Sequence, residues 1–143
     1  VIDRLGDHKH ACWGGGVTIA AKASGAVGGV IDGVHTDTSE IRDSDMPLWS
    51  RGPSPITTRL YNLGGTFNVP INCGGVMVQP GDAVLADENG VLILPPNEID
   101  SVADTALEKQ QRGLAVQERV ANGEKLGDIS GATTMVLEAL AKH

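Results

Sequence analysis

The order of the first apolar runs constrains this chain most. Residues 1–3 (Val-Ile-Asp) read as the tail of a buried strand, and residues 29–32 (Gly-Val-Ile-Asp) as a second strand ending on a carboxylate. Between them Gly14-Gly15-Gly16 opens a helical stretch over 17–24, stopped by Gly25. Thr38 or Ser39 is placed to cap a short helix through Asp43, and 47–50 reads as a third buried strand. Strand, helix, strand, helix, strand is the pattern of parallel βαβ units. Such sheets put their chemistry beyond the carboxyl ends of the strands, which points to His35, Thr36 and Asp37.

The second half follows another pattern. Short β runs at 66–71, 75–78, 83–87 and 90–94 are separated by the turns QPGD (79–82) and DENG (87–90). The last two runs form a tight hairpin with Asn89-Gly90 at its bend. Pro95-Pro96 ends the β region. Residues 98–121 then read as a helix, with Gly113 a point of bending and Ile99, Val102, Ala103, Ala106, Leu107, Leu114 and Val120 among its apolar positions. Residues 122–131 break it, and 132–142 form a last helix. The expectation is one α/β domain over 1–143, with a mixed sheet, flanking helices and a C-terminal helical segment. Val1 reads as a strand already under way, so an N-terminal segment is expected to be missing.

Composition narrows the partners. Trp13, Trp49, Tyr61 and Phe67 are the only aromatic residues, so the core must be largely aliphatic. The formal net charge is -7 and the lysines and arginines are scattered, which argues against nucleic acid or an anionic membrane as a partner. A small anionic substrate remains compatible, because a few local donors can hold one. Cys12 and Cys73 lack CxxC spacing and read as reduced thiols of a cytoplasmic protein. No stretch approaches the roughly 18 apolar residues of a membrane span, and no signal peptide is visible.

Four features could carry chemistry. A glycine-rich helix start at 14–16 offers unpaired backbone N–H groups to a carboxylate or phosphate; its bland reading is a tight strand-to-helix turn. Asp32 and Asp37 flank a turn and could hold a hard divalent ion mostly through water; otherwise Asp32 caps backbone N–H groups and Asp37 starts a helix. His8, His10 and His35, with Asp37, would suffice for a transition-metal site, although solvated loop histidines are commoner; the terminal His143 is uninformative. Arg51, just past a strand, could clamp a carboxylate substrate or pair with Asp32, Asp37 or Glu40. Cys73 reads as a small buried residue rather than a nucleophile.

The segments GAVGGVIDGVHTDTSEI (25–41), PLWSRGPSP (47–55), VPINCGGVMVQPGDAVLADENGVLILP (69–95) and VANGEKLGDISG (120–131) together resemble the RraA-like family. That family includes the regulator of ribonuclease activity A and the class II 4-hydroxy-4-methyl-2-oxoglutarate aldolases. The resemblance implies a swivelling β/α domain assembled as a homotrimer or hexamer with sites between subunits. It implies a divalent metal, Mg²⁺ or Mn²⁺, and cleavage or decarboxylation of a small anionic 2-oxo acid through a pyruvate enolate. The family signature Asp-Gly-x-x-Arg-Asp stands here as Asp32-Gly33-Val34-His35-Thr36-Asp37. Asp37 falls on the metal position, and Gly15, Gly16 and Val17 fall on the loop whose amides hold the substrate carboxylate. Thr36 falls where an arginine would contact the oxyanion, and Gly15 where aldolases often carry an acid. The resemblance thus implies a catalytic set of Thr36 with His35 or Arg51, or else His8, as replacement for the missing contact. Its alternative is a non-catalytic oligomeric binding protein resembling the ribonuclease regulator.

Overall fold

The structure is a computed structural model that describes residues 1–142; His143 lies outside the described residues. It divides into two units, Val1–Pro96 and the residues from Asn97 on.

In the first unit the parallel βαβ reading holds. Strand β1 (Ile2–Asp3), helix α1 (Gly15–Ala23), strand β2 (Gly29–Asp32), helix α2 (Thr38–Asp43) and strand β3 (Leu48–Trp49) follow one another. The strands lie in the order β1-β2-β3 and all pair parallel, with Ile2 opposite Ile31 and Val30 opposite Trp49. Single bridges extend this pairing past the strand ends: Trp13 to His35, His35 to Pro53, and Ala11 to Thr57. The core is small. Trp13, Ile31, Ile41 and Met46 are buried together, with Ile2, Cys12, Ala21 and Leu48 packed against them. Thr18 is the most buried polar residue of the core; its hydroxyl donates to the Gly14 carbonyl and accepts from Trp13 Nε1 at 2.7 Å. That bond satisfies the one polar atom the indole brings inside.

Two hairpins complete the unit. Strands β4 (Ile71–Cys73) and β5 (Val76–Val78) pair around Gly74-Gly75, and β6 (Ala83–Asp87) pairs with β7 (Gly90–Leu94). Gly74 and Gly75 both have positive φ, +61° and +86°, as a two-residue primed turn requires. Parallel and antiparallel pairings are therefore both present, divided among three sheets, with β4 lying beside β1. The expected strand over 66–71 is confined to its last residue, because only from Ile71 is there a partner strand to take its backbone groups. The β6–β7 bend falls on Glu88-Asn89, one residue earlier than expected, with Asp87 opposite Gly90. The Asp87 carboxylate accepts from the Asn89 and Gly90 N–H groups and so fixes that position. Trp49 Nε1 donates to the Asp87 carbonyl at 2.7 Å, tying β3 to this hairpin.

The second unit is helical. Helix α3 (Ile99–Ala121) runs without interruption through Gly113, and α4 (Leu126–Ile129) and α5 (Ala132–Leu140) follow. The break expected over 122–131 thus contains a helical turn of its own. Gly123 at φ +94° ends α3, and Arg119 clasps Glu124 through two hydrogen bonds of 3.0 and 2.6 Å across that end.

Candidate metal and carboxylate site

The carboxyl ends of β1, β2 and β3 lead into the segments that carry most of the chain's polar candidates. Helix α1 begins at Gly15 with Gly14 as its cap residue, two residues earlier than the expected start, and its first intrahelical bond is Thr18 N–H to the Gly14 carbonyl at 3.0 Å. The N–H groups of Gly15, Gly16 and Val17 consequently have no partner inside the helix. Gly15 N–H donates to Asp37 Oδ2 at 3.1 Å. The Gly16 and Val17 N–H groups find no acceptor among the described residues, and both residues are solvent-exposed. A helix N-terminus of this form attracts a carboxylate through its free amides and the positive end of its dipole.

Asp37 sits at the N-cap position of α2 in the left-handed region, φ 55° and ψ 44°, yet its carboxylate makes no bond to its own helix. It crosses instead to Gly15. Thr38 is the first residue of α2, and neither it nor Ser39 caps the helix, because Asp37 already occupies the cap position. A left-handed conformation costs an L-residue about 1–2 kcal/mol. Aspartate, with asparagine, visits this region more readily than other side-chain-bearing residues. The close approach requires glycine: a Cβ on Gly14 would lie 2.5 Å from Asp37 Oδ2 and 2.9 Å from Thr36 Cγ2. A Cβ on Gly15 would fall on Glu40 Oε2.

Thr36, His35 and Arg51 each have partners within the first unit. Thr36 Oγ1 donates to Asp37 Oδ1 at 3.2 Å. His35 has Ser50 Oγ 2.7 Å from Nδ1 and Thr38 Oγ1 3.0 Å from Nε2, so its ring bridges the end of β3 and the start of α2. Arg51 Nε donates to Asp32 Oδ1, while Asp32 Oδ2 accepts the Gly74 N–H at 2.7 Å. The Arg51 hydrogen bond first, and the Gly74 amide second, hold the Asp32 carboxyl below the usual carboxylate range. Asp32 and Asp37 thus serve different partners: Asp32 takes the Arg51 side chain and one backbone N–H, from the distant Gly74, rather than the N–H groups of its own turn.

The histidines lie in three settings. His8 Nε2 is 3.6 Å from Asp32 Oδ1, His10 Nδ1 is 3.1 Å from Asp7, and His35 is held by the two hydroxyls. The His10 and Lys9 backbone N–H groups, in that order, hold the Asp7 carboxyl far below its usual range. Among the described residues no three His, Cys, Asp or Glu side chains gather as a metal cage, so the histidine-rich transition-metal site is not formed. A hard ion fits the donors better. Mg²⁺ binds through one or two carboxylates and keeps several waters. The exposed Asp37 carboxylate, with one hydrogen bond on each oxygen, retains lone pairs for such an ion. Burial pushes the Cys12 and Cys73 thiols up, which keeps both protonated and unreactive.

From the sequence Glu40 reads only as one possible partner for Arg51, which pairs with Asp32 instead. It stands in the first turn of α2, three residues after the cap residue Asp37.

Three comparisons bear on this arrangement. The sequence profile of the RraA-like family, described as Aldolase/RraA, matches residues 1–93. An uncharacterized protein of Methanocaldococcus jannaschii is 32% identical over 124 residues, 87% of this chain and 59% of that protein. A Halalkalibacterium halodurans protein, provisionally named 4-hydroxy-4-methyl-2-oxoglutarate aldolase, is 36% identical over 110 residues, 77% of this chain and 52% of that protein. The crystal structure of Streptomyces coelicolor RraAS2, described as an unusual member of the RNase ES inhibitor RraA protein family, superposes with a TM-score of 0.72. The two share 28% identity over 82% of this chain and 61% of that one. The chain spans little more than half the length of the two curated relatives.

Proposed function

This chain belongs to the RraA-like family, and from that premise we propose that it is a divalent-metal-dependent lyase acting on a small anionic 2-oxo acid. The observation that carries the proposal is the meeting of the Asp37 carboxylate with the start of α1, beside the unpartnered amides of Gly16 and Val17. Asp37 would hold Mg²⁺ or Mn²⁺, and Gly16 and Val17 would hold the substrate carboxylate through their N–H groups. Gly15, whose N–H Asp37 takes, orients that carboxylate instead of the substrate. When bound, the metal supplies positive charge against the negative charge that develops on the 2-oxo oxygen.

For a 2-oxo-4-hydroxy acid the bond between C3 and C4 breaks. Its electron pair moves toward the 2-oxo oxygen, the C4 hydroxyl loses its proton to become a carbonyl, and C3 takes up a proton to give pyruvate. For oxaloacetate the bond to the departing carbon dioxide breaks in the same sense. The chain's own residues bind and orient. Gly16 and Val17 orient the substrate carboxylate, Asp37 would hold the ion, and His35 holds α2, and therefore Asp37, against the end of β3. A homotrimer or hexamer belongs to this proposal, as does a cytoplasmic location. The exposed Leu60, Leu63 and Phe67 support an assembly that would cover them.

Thr36 favours a second reading, a non-catalytic binding protein like the ribonuclease regulator. Its hydroxyl is engaged by Asp37, and Arg51 is engaged by Asp32, so neither brings a free charge to the oxyanion. Purified protein should release pyruvate from 4-hydroxy-4-methyl-2-oxoglutarate or oxaloacetate when given Mg²⁺ or Mn²⁺. Asp37→Ala should abolish the metal-stimulated part. Turnover that ignores both the metal and Asp37 would reject the metal-dependent reading, and no turnover of either substrate would reject the lyase reading itself.

A further inference from the structure

We infer that Glu40 is a positioning carboxylate for the divalent ion at Asp37, acting from α2 through the ion's water shell in the space that Gly15 leaves open. The inference rests on the metal-dependent reading of Asp37.

Glu40 is the third residue of α2, three positions after the N-cap Asp37. A glutamate there ordinarily reaches back to the N-cap N–H to complete a capping box. This one does not: no hydrogen bond or ion pair to Glu40's carboxylate is formed among the described residues. It leans across to α1 instead. A Cβ on Gly15 would coincide with Glu40 Oε2 and would lie 2.9 Å from its Cδ. The carboxylate therefore rests on the backbone of the residue whose N–H binds Asp37 Oδ2. Gly14 is crowded by Asp37 and Gly15 by Glu40, so the two carboxylates stand over consecutive residues of one helix start.

Glycine at both positions is what admits them. A side chain at 15 would displace Glu40, and one at 14 would displace Asp37. An exposed carboxylate with no protein partner has acceptor capacity for water. Mg²⁺ and Mn²⁺ keep much of their hydration when held by few protein oxygens, so a carboxylate one water away adds both charge and orientation. Gly16 and Val17 follow Gly15 in the same first turn of α1, with N–H groups that take no acceptor among the described residues.

The test is a calorimetric Mn²⁺ titration of the full chain, with the thermal midpoint of the metal-free protein measured alongside. Glu40→Gln should weaken Mn²⁺ binding by about 10- to 100-fold, as loss of an outer-shell partner does, and leave the metal-free midpoint in place. Asp37→Asn should remove binding. Moving the carboxylate to the other element, in the double variant Glu40→Ala with Gly15→Asp, should restore most of the affinity that Glu40→Ala loses. Affinity unchanged in Glu40→Gln while Asp37→Asn loses binding would overturn the role of Glu40 and leave the metal reading standing. A wild-type protein that binds no Mn²⁺ would overturn both.

Discussion

On the proposed lyase reading, Thr36 is the residue that limits the rate. Its hydroxyl donates to Asp37 Oδ1, and its methyl faces Gly14. Threonine offers neither the charge nor the planar fork of a guanidinium. Removing one such electrostatic donor costs an enzyme roughly 10²–10³ in rate. Thr36→Arg should therefore raise metal-dependent pyruvate release, by roughly 10- to 100-fold in kcat. An unchanged rate would mean that the oxyanion does not form beside residue 36. Gly14 makes the complementary case. Gly14→Ala places a methyl 2.5 Å from Asp37 Oδ2 and 2.9 Å from Thr36 Cγ2, so both side chains must shift. It should weaken Mn²⁺ binding while the far-ultraviolet circular dichroism stays that of the wild type; retained affinity would show that Asp37 does not depend on this contact.

At the scale of elements, Asp32 joins three pieces of the first unit. Its oxygens take the Arg51 guanidinium after β3 and the Gly74 amide of the β4–β5 turn, with His8 at 3.6 Å. Its folded-state titration lies below that of an unfolded aspartate, about 3.9. The sign follows: the stabilisation is complete above that value and is lost as pH falls through the lower folded one. The stability difference between wild type and Asp32→Asn should thus shrink between about pH 5 and pH 3. Urea unfolding across that range measures it, and a difference independent of pH would contradict the linkage. The alternation of β1, α1, β2, α2 and β3 was legible because each strand is a short apolar run closed by a polar residue or glycine. Residues 66–70 misled because apolar and polar residues alternate there as in a strand, while the β4–β5 register is set by the Gly74-Gly75 turn. The site was half legible. Asp37 and Gly14–Val17 stood out by motif and glycine content, but the commitment of Arg51 to Asp32 and the lean of Glu40 onto Gly15 are tertiary facts that no spacing encodes.

At the scale of the molecule, the described residues contain no helix long and apolar enough to cross a membrane. The first unit pairs a small buried core with many exposed apolar side chains, Leu85 and Met77 on the hairpins among them. Its candidate site residues, Asp37 among them, follow the carboxyl ends of the parallel strands, where α/β proteins usually bind ligands. The most direct measurement is pyruvate release from 4-hydroxy-4-methyl-2-oxoglutarate and from oxaloacetate, with Mg²⁺ and with chelator, for wild type beside Asp37→Ala. Metal-stimulated release by the wild type, falling to the chelator level in Asp37→Ala, is the expected result. Release equal in the two proteins, or no metal-stimulated release from either substrate, would contradict Asp37 as the centre of a lyase.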